Sequence, residues 1–91
     1  MKNSKQLERH FKGLANYQRI DILLLLSKRE GITLEGIAGE LRKNFKTVSE
    51  HARRLVQAGL LNKKYRGRFV EHTLSPYGKV LVNFQKSFQG N

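Results

Sequence analysis

The stretch TLEGIAGELRKNFKTVSEHARRLVQAGLL, residues 33–61, decides the fold. Thr33 can cap one short helix, and Asn44 can cap a second helix that ends before Gly59. The apolar residues keep helical spacing in both: Leu34, Ile37, Ala38 and Leu41 in the first helix, and Val48, Ala52, Leu55 and Val56 in the second. Two short helices joined by a tight turn predict a helix-turn-helix over residues 33–59, whose second helix enters the major groove of DNA.

Three further helices are predicted in the flanking sequence. A residue that can cap a helix precedes each of them: Ser4, Asn16 and Ser75. The helix after Asn16 is apolar nearly all round and ends by Gly31, so it is predicted to be the buried central helix. The first and last helices, over residues 4–13 and 76–88, each carry an apolar stripe at helical spacing.

Extended segments lie on both sides of the predicted helix pair. Ile32 is a short extended link before it, and residues 60–74 after it read LLNKKYRGRFVEHTL. β-Branched and aromatic residues on either side of Arg66–Gly67 predict a hairpin, the wing of a winged helix-turn-helix. The predicted fold is mostly α with a small β-hairpin, in the order α1-α2-(short β)-α3-α4-β-β-α5, as a single domain over residues 1–91.

The net charge of +11 is concentrated in one part of the chain. Residues 42–68 hold nine Lys and Arg against one Glu, a net charge of 9 − 1 = +8, whereas residues 14–41 carry 3 − 4 = −1. A basic concentration this local indicates a polyanionic partner, and with the helix pair it predicts double-stranded DNA. The alternative is a solvated, lysine-rich surface without a partner.

Polar residues in the N-terminal half of the second helix lie off its apolar stripe. If residues 45–57 occupy the major groove, these side chains face the bases, and their neighbours face the phosphates that position the protein. The predicted base contacts are Lys46, Thr47 and Ser49, and the predicted phosphate contacts are Lys43 and Arg53.

Two residues of the same helix have two interpretations each. Glu50 can accept a hydrogen bond from a cytosine amino group, but a Glu followed by Arg at i+3 and i+4 more often pairs with them, here Arg53 or Arg54. His51 can bond a phosphate, or it can have a buried structural role.

The predicted wing explains the remaining basic residues. Lys63, Lys64, Arg66 and Arg68 surround its turn. Residues 63–68 are predicted to reach the minor groove or the backbone, with Arg66 and Arg68 as the minor-groove contacts. The alternative is that these charges keep an exposed hairpin from pairing with other strand edges.

Several classes of function are disfavoured by the composition. Without cysteine, no disulfide, thiolate metal site or redox chemistry is available, and no His spacing suggests metal ligands. No Ser–His–acid pattern or phosphate-binding glycine loop indicates an enzyme, and no cofactor is predicted. The longest apolar run, Ile22–Leu26, is far too short to span a membrane, and the N-terminus lacks a signal peptide, so a soluble, cytoplasmic protein is expected.

Four motifs of the chain are familiar as a set: LANYQRIDILLLLSK, TVSEH, AGLL and YRGRF. They resemble the opening helix pair, the helix-turn-helix (TVSEH and AGLL) and the wing of winged-helix repressors of the ArsR type, and the resemblance covers most of the chain. TLSPYGKVLV resembles the strand-to-helix junction of both ArsR-type and MarR-type proteins. The resemblance implies a homodimeric transcriptional regulator, usually a repressor, that leaves its operator on sensing a ligand or metal.

Metal sensing is not carried over, because the usual ligands are missing. LEGIAGELRK contains no cysteine, and residues 76–88 contain no His, Asp or Glu. No metal ligand is therefore predicted, and the effector is left unassigned. The alternatives to a sequence-specific regulator are a winged-helix module that binds DNA or RNA non-specifically and one that binds proteins.

The resemblance also implies dimerisation through the first and last helices, and their apolar stripes support it. The predicted interface residues are Leu7, Phe11, Tyr77, Leu81, Phe84 and Phe88. The alternative is that these helices pack only on their own core. A two-fold dimer would present its recognition helices to half-sites about 34–36 Å apart in a palindromic operator.

Overall fold

Five helices and three strands form along residues 2–89, the part of the chain that the computed structural model describes. The helices are α1 (Ser4–Leu14), α2 (Tyr17–Lys28), α3 (Leu34–Leu41), α4 (Phe45–Gln57) and α5 (Pro76–Lys86), and the strands are β1 (Ile32–Thr33), β2 (Leu61–Arg66) and β3 (Phe69–Leu74). This order confirms the predicted winged helix-turn-helix. The domain predicted over residues 1–91 includes residues 1, 90 and 91, which lie outside the described residues.

At the start of each helix, a capping side chain accepts hydrogen bonds from backbone amides, and the capping residue is the predicted one in every helix but α1. Asn44 Oδ1 accepts from the amides at the start of α4, and Asn16, Thr33 and Ser75 cap α2, α3 and α5. The prediction of Ser4 as the cap of α1 is wrong. Asn3 is the cap, because its Oδ1 accepts from Gln6 N at 2.9 Å while Gln6 Oε1 accepts from Asn3 N at 2.9 Å.

The three strands form one antiparallel sheet in the order β1-β3-β2. The hairpin pairs Leu61 with Leu74 at its base and Arg66 with Phe69 at its tip. Gly67 makes the turn at φ +63°, a left-handed conformation that favours glycine. The predicted extended link at Ile32 is confirmed and is a strand, since Ile32 pairs with His72.

The core lies where α2 crosses the helix pair and the sheet. Ile22, Leu23 and Leu26 of α2 are buried, which confirms the predicted central helix. They pack with buried residues from the other elements, among them Ile37, Val48, Leu55, Leu60 and Val82. This packing buries the inner stripe of α4 and leaves its opposite face outside. Within residues 2–89, no helix combines the length and the apolar character needed to cross a membrane.

The first turn of α5 docks where α4 meets β2. Ser75 N donates to Leu60 O at 3.0 Å, and Ser75 Oγ donates to Gly59 O at 2.6 Å. Gly78 allows the closest approach, because a Cβ at this position would stand 2.2 Å from Leu60 O. The last helix is therefore fixed to the C-terminal end of α4.

Candidate nucleic-acid interface

The outer face of α4 is a continuous exposed surface of mostly polar and basic side chains. Val48, Ala52 and Leu55 face the core, and the exposed residues of the opposite face are Lys46, Thr47, Glu50, Arg53, Arg54 and Gln57. Asn44 Oδ1 accepts from Lys46 N at 2.8 Å and from Thr47 N at 3.3 Å. The cap thus fixes the start of the helix at the position where Lys46 and Thr47 project.

Ser49 does not share this outward orientation, so the geometry argues against its predicted base contact. Its Oγ is enclosed and has no hydrogen-bond partner among the described residues. Ser49 is three residues before Ala52 and seven before Val56, a spacing that puts the three side chains on the same side of α4. That side of the helix faces the sheet. There it lines a cavity of about 180 Å³ that His72 and Tyr65 also line.

Glu50 pairs with both arginines that follow it. Its carboxylate accepts from Arg53 Nε at 3.2 Å and Nη2 at 2.6 Å, and from Arg54 Nε at 3.0 Å. These bonds hold the pKa of Glu50 below its usual value and raise the pKa of Arg53. The structure thus shows the pairing that the spacing predicts, and Glu50 neutralises part of the positive charge on this face.

His51 links α4 to the start of α2. Its Nδ1 accepts from Arg19 Nε at 3.2 Å, and its Nε2 donates to Gln18 Oε1 at 2.5 Å. Burial, and then the charge of Arg19, lower the pKa of His51, which favours the neutral ring that these bonds require. Both ring nitrogens are engaged within the protein, so the geometry favours the structural interpretation over a phosphate contact.

The hairpin stands beside the recognition helix, as predicted. Arg53 of α4 and Lys63 of β2 line the same cavity between the two elements. Lys63, Lys64 and Arg68 are exposed. Arg66 is exposed as well but pairs with Glu71 of β3 at 3.1 Å, which holds it against the hairpin. The structure therefore places the predicted wing residues on the exposed hairpin beside α4.

Sequence reasoning missed two basic residues of this surface. Arg42 is an exposed residue of the helix-turn-helix turn, in the left-handed conformation at φ 54°. Arg54 lies on the outer face of α4, although the sequence suggested it only as a partner of Glu50. Lys43, a predicted phosphate contact, is half-buried, and its Nζ stands 5.4 Å from the centre of the Tyr17 ring.

A second surface, on α1 and the C-terminal segment, is apolar. Its large side chains are exposed in the isolated chain by 43 to 72%: Leu7, Phe11, Tyr77, Val80, Phe84 and Phe88. Leu81 was predicted here, but it is 9% exposed and packs in the core, while its neighbour Val80 is 63% exposed and was missed. Phe88 lies beyond the end of α5, and its ring contacts the Phe84 ring edge-on, with 5.0 Å between the two ring centres.

No group of three or more His, Asp or Glu side chains within residues 2–89 could hold a metal ion. His72 is a buried residue of β3 in the wing, and burial followed by the charge of Lys63 lowers its pKa. Its Nδ1 has no partner among the described residues.

Solved structures of bacterial regulators share this architecture. HlyU from Vibrio cholerae N16961 is 26% identical with a TM-score of 0.86, and the match covers 97% of this chain and 96% of that one. HlyU from Vibrio vulnificus CMCP6, at 24% identity and a TM-score of 0.80 over 97% of this chain and 92% of that one, shows the fold alone.

A Mycobacterium bovis protein, Mb0332, provides a further comparison. Its homodimeric winged helix-turn-helix DNA-binding domain, from a possible ArsR-family transcriptional regulator, is 27% identical with a TM-score of 0.84. The match covers 92% of this chain and 78% of that one.

Sequence comparison identifies the family directly. No curated protein is a significant match to this sequence. The family model described as "Bacterial regulatory protein, arsR family" matches residues 16–63, just over half of the 91 residues and including α2, both helices of the helix-turn-helix and the start of the wing. The chain therefore belongs to the ArsR family of bacterial regulatory proteins.

Proposed function

We propose that this protein is a transcriptional repressor that binds double-stranded DNA as a homodimer and reads a palindromic operator. One observation carries the proposal: the N-terminal half of α4 presents Lys46 and Thr47 outward while the other face of the helix is locked into the core. An α-helix fits the major groove of B-DNA, where each base pair displays a distinct pattern of donors and acceptors.

Base reading is assigned to two side chains at the start of α4. Lys46 can donate to guanine O6 and N7, and the Thr47 hydroxyl and methyl can meet either a polar base edge or a thymine methyl. Ser49 is left out of this set because its Oγ is enclosed on the flank facing the sheet.

Phosphate contacts surround the base-reading residues. Lys43 at the turn and Arg53 on α4 lie on either side of them in sequence, and the wing brings Arg66 and Arg68 to the minor groove or the backbone. Glu50 itself repels phosphates, and its pairing with Arg53 occupies Nε and Nη2 of the guanidinium. The remaining guanidinium donors of Arg53 bind the phosphates of the DNA backbone. In this proposal the charge of +8 over residues 42–68 supplies affinity, and the two base contacts supply specificity.

Dimerisation is assigned to the apolar surface on α1 and the C-terminal segment. Leu7 and Phe11 of α1 line an apolar cavity of about 190 Å³ together with Val80 of α5. Exposed apolar side chains that form one contiguous patch indicate an interface. The homodimeric state of the related Mycobacterium bovis domain supports this assignment.

Selection of binding sites from random duplex DNA tests the proposal. The wild-type protein should return an inverted repeat with half-sites about 34–36 Å apart. Lys46→Ala should lose about 1–3 kcal/mol of discrimination at one base pair of each half-site. Ser49→Ala is the matched control on the same helix and should keep the wild-type consensus. Recovery of no consensus would instead support a non-specific nucleic-acid-binding module.

Sedimentation velocity tests the dimer separately. Wild-type protein at micromolar concentration should sediment as a dimer. Phe84→Asp, which puts a charge into the apolar surface, should yield a folded monomer. Lys79→Asp, an exposed change elsewhere on α5, is the control and should remain a dimer. A wild-type monomer would remove the half-site spacing from the proposal.

A further inference from the structure

A cleft of about 290 Å³ opens between α1, the start of α2 and the C-terminal half of α4. Four cationic side chains line it, one or two from each helix: Arg9, Lys12, Arg19 and Arg54. No Asp or Glu of residues 2–89 belongs to the lining. We infer that this cleft is a phosphate-binding site that adjoins the recognition face through Arg54 and Gln57 and is separate from the wing.

Arg19 is already fixed in the position that an anion site requires. Its Nη1 donates to Lys12 O at 3.5 Å and to Gly13 O at 3.3 Å, while its Nε donates to His51 Nδ1 at 3.2 Å. These bonds tie the guanidinium to both α1 and α4. An arginine held in this way loses little conformational entropy when it binds a phosphate, and the bonds at Nε and Nη1 leave Nη2 as the group that donates to the phosphate.

The two acids near the cluster leave it positively charged. Glu50 accepts from Arg54 Nε at 3.0 Å but also pairs with Arg53, and Glu8 stands 3.6 Å from Lys12 Nζ. Four cations against two acids leave a net charge of 4 − 2 = +2. The Glu8 pair is exposed on the surface, where such a pair contributes little. A bound phosphate group would relieve the repulsion among the four cations.

The position of the cleft indicates which phosphate it holds. At 3.6 residues per turn, Arg54 lies on the flank of α4 roughly opposite Ser49 and Val56, which face the wing, and Gln57 lies about a quarter-turn from them. The major groove that receives a recognition helix is bordered by a backbone on each side. The wing stands toward one backbone, so the cleft serves the other as a phosphodiester site. This assignment rests on the proposed function, and the same chemistry would bind a free phosphorylated compound.

Salt dependence of duplex binding tests the backbone assignment. The double variant Arg9→Gln/Lys12→Gln removes two cations of the cleft. It keeps Arg19 and Arg54, because Arg19 bonds His51 and Arg54 bonds Glu50 within the fold. If both cations neutralise phosphates, the slope of log K against log[salt] should fall by about 1.8. Lys28→Gln/Lys86→Gln removes the same charge from exposed positions at the far ends of α2 and α5 and should leave the slope unchanged.

A titration with tripolyphosphate in the absence of DNA tests the cleft itself. Saturable shifts of the Gly13 and Arg19 amide resonances, lost in Arg9→Gln/Lys12→Gln and kept in the control, support a phosphate site. If these shifts appear while the duplex slope is unchanged, the ligand is a free phosphorylated compound. If the variant matches the wild type in both experiments, the inference is overturned while the proposed function stands. If the wild type binds no duplex, the proposed function fails and the titration alone decides.

Discussion

Replacing Gly78 by Ala should destabilise the protein, because the first turn of α5 rests directly on backbone. Gly78 is buried, and a Cβ added there would stand 2.2 Å from Leu60 O and 3.2 Å from Leu60 C. Ordinary contact begins near 3.4 Å, so the carbonyl and the helix would have to separate by about 1.2 Å. The same carbonyl accepts from Ser75 N at 3.0 Å, so the shift would also strain the junction of β3 and α5.

The expected loss in the free energy of unfolding is the sum of two destabilising effects and one stabilising effect. Overpacking of a closed contact destabilises by about 1–3 kcal/mol. Weakening the Ser75 N–Leu60 O bond adds up to about 1 kcal/mol. Alanine is favoured over glycine inside a helix by about 1 kcal/mol, which offsets part of both. The net change is a loss of up to about 3 kcal/mol, with roughly 4–8 °C in Tm for each kcal/mol in a domain of this size.

Urea unfolding followed by circular dichroism at 222 nm measures this change. Gly39→Ala is the matched control, because Gly39 is also inside a helix but its added Cβ would meet nothing within 4 Å. That variant should gain about 0.4–1 kcal/mol. If Gly78→Ala were as stable as Gly39→Ala, the close approach of α5 to Leu60 would be refuted.

Three further predictions concern protonation and charge. Burial lowers the pKa of His72, so as the pH falls the unfolded chain takes up this proton before the folded chain does. The contribution of His72 to the free energy of unfolding should therefore fall between pH 6.5, about the unfolded pKa, and the lower native pKa, by at most ~1.4 kcal/mol per pH unit. In urea titrations at several pH values, His72→Gln should flatten this slope. Glu50→Gln releases Arg53 and Arg54, so binding to every duplex should strengthen and its salt dependence steepen in fluorescence anisotropy. Arg68→Ala should weaken binding to all duplexes alike and lower the salt slope by about one; unchanged affinity at low salt would refute the wing contact.

The parts of the fold that the sequence predicts correctly are those set by local interactions. Asn44 bonds amides two and three residues ahead, and the inner stripe of α4 repeats within a single helix. The turn at Gly67 needs a left-handed residue at one position, which glycine provides. Each of these signals lies within a few residues of chain, so the start of α4 and the hairpin follow without knowledge of the tertiary packing, whereas the helix predicted over residues 76–88 ends at Lys86.

The errors arise where a distant element decides the orientation of a side chain. Ser49 and Lys46 are both polar residues off the apolar stripe of α4, and it is the position of the sheet that encloses Ser49 Oγ. Val80 and Leu81 are adjacent on one apolar helix, and the rotation of α5 against the core exposes the first and buries the second. Arg19, more than thirty residues from its partner His51, shows no sequence signal for its role in the cleft.

The C-terminal end of the recognition helix is bonded by both helices of the proposed dimer surface. The last carbonyls of any helix lack partners within it. Here His10 Nδ1 of α1 donates to Ala58 O at 2.6 Å, and Ser75 Oγ at the start of α5 donates to Gly59 O at 2.6 Å. These bonds fix the C-terminal end of the recognition helix to the helices that carry the apolar surface. In the proposed dimer the packing of α1 and α5 against their partners sets the separation of the two recognition helices, and a change in that packing alters the operator spacing without touching a DNA contact.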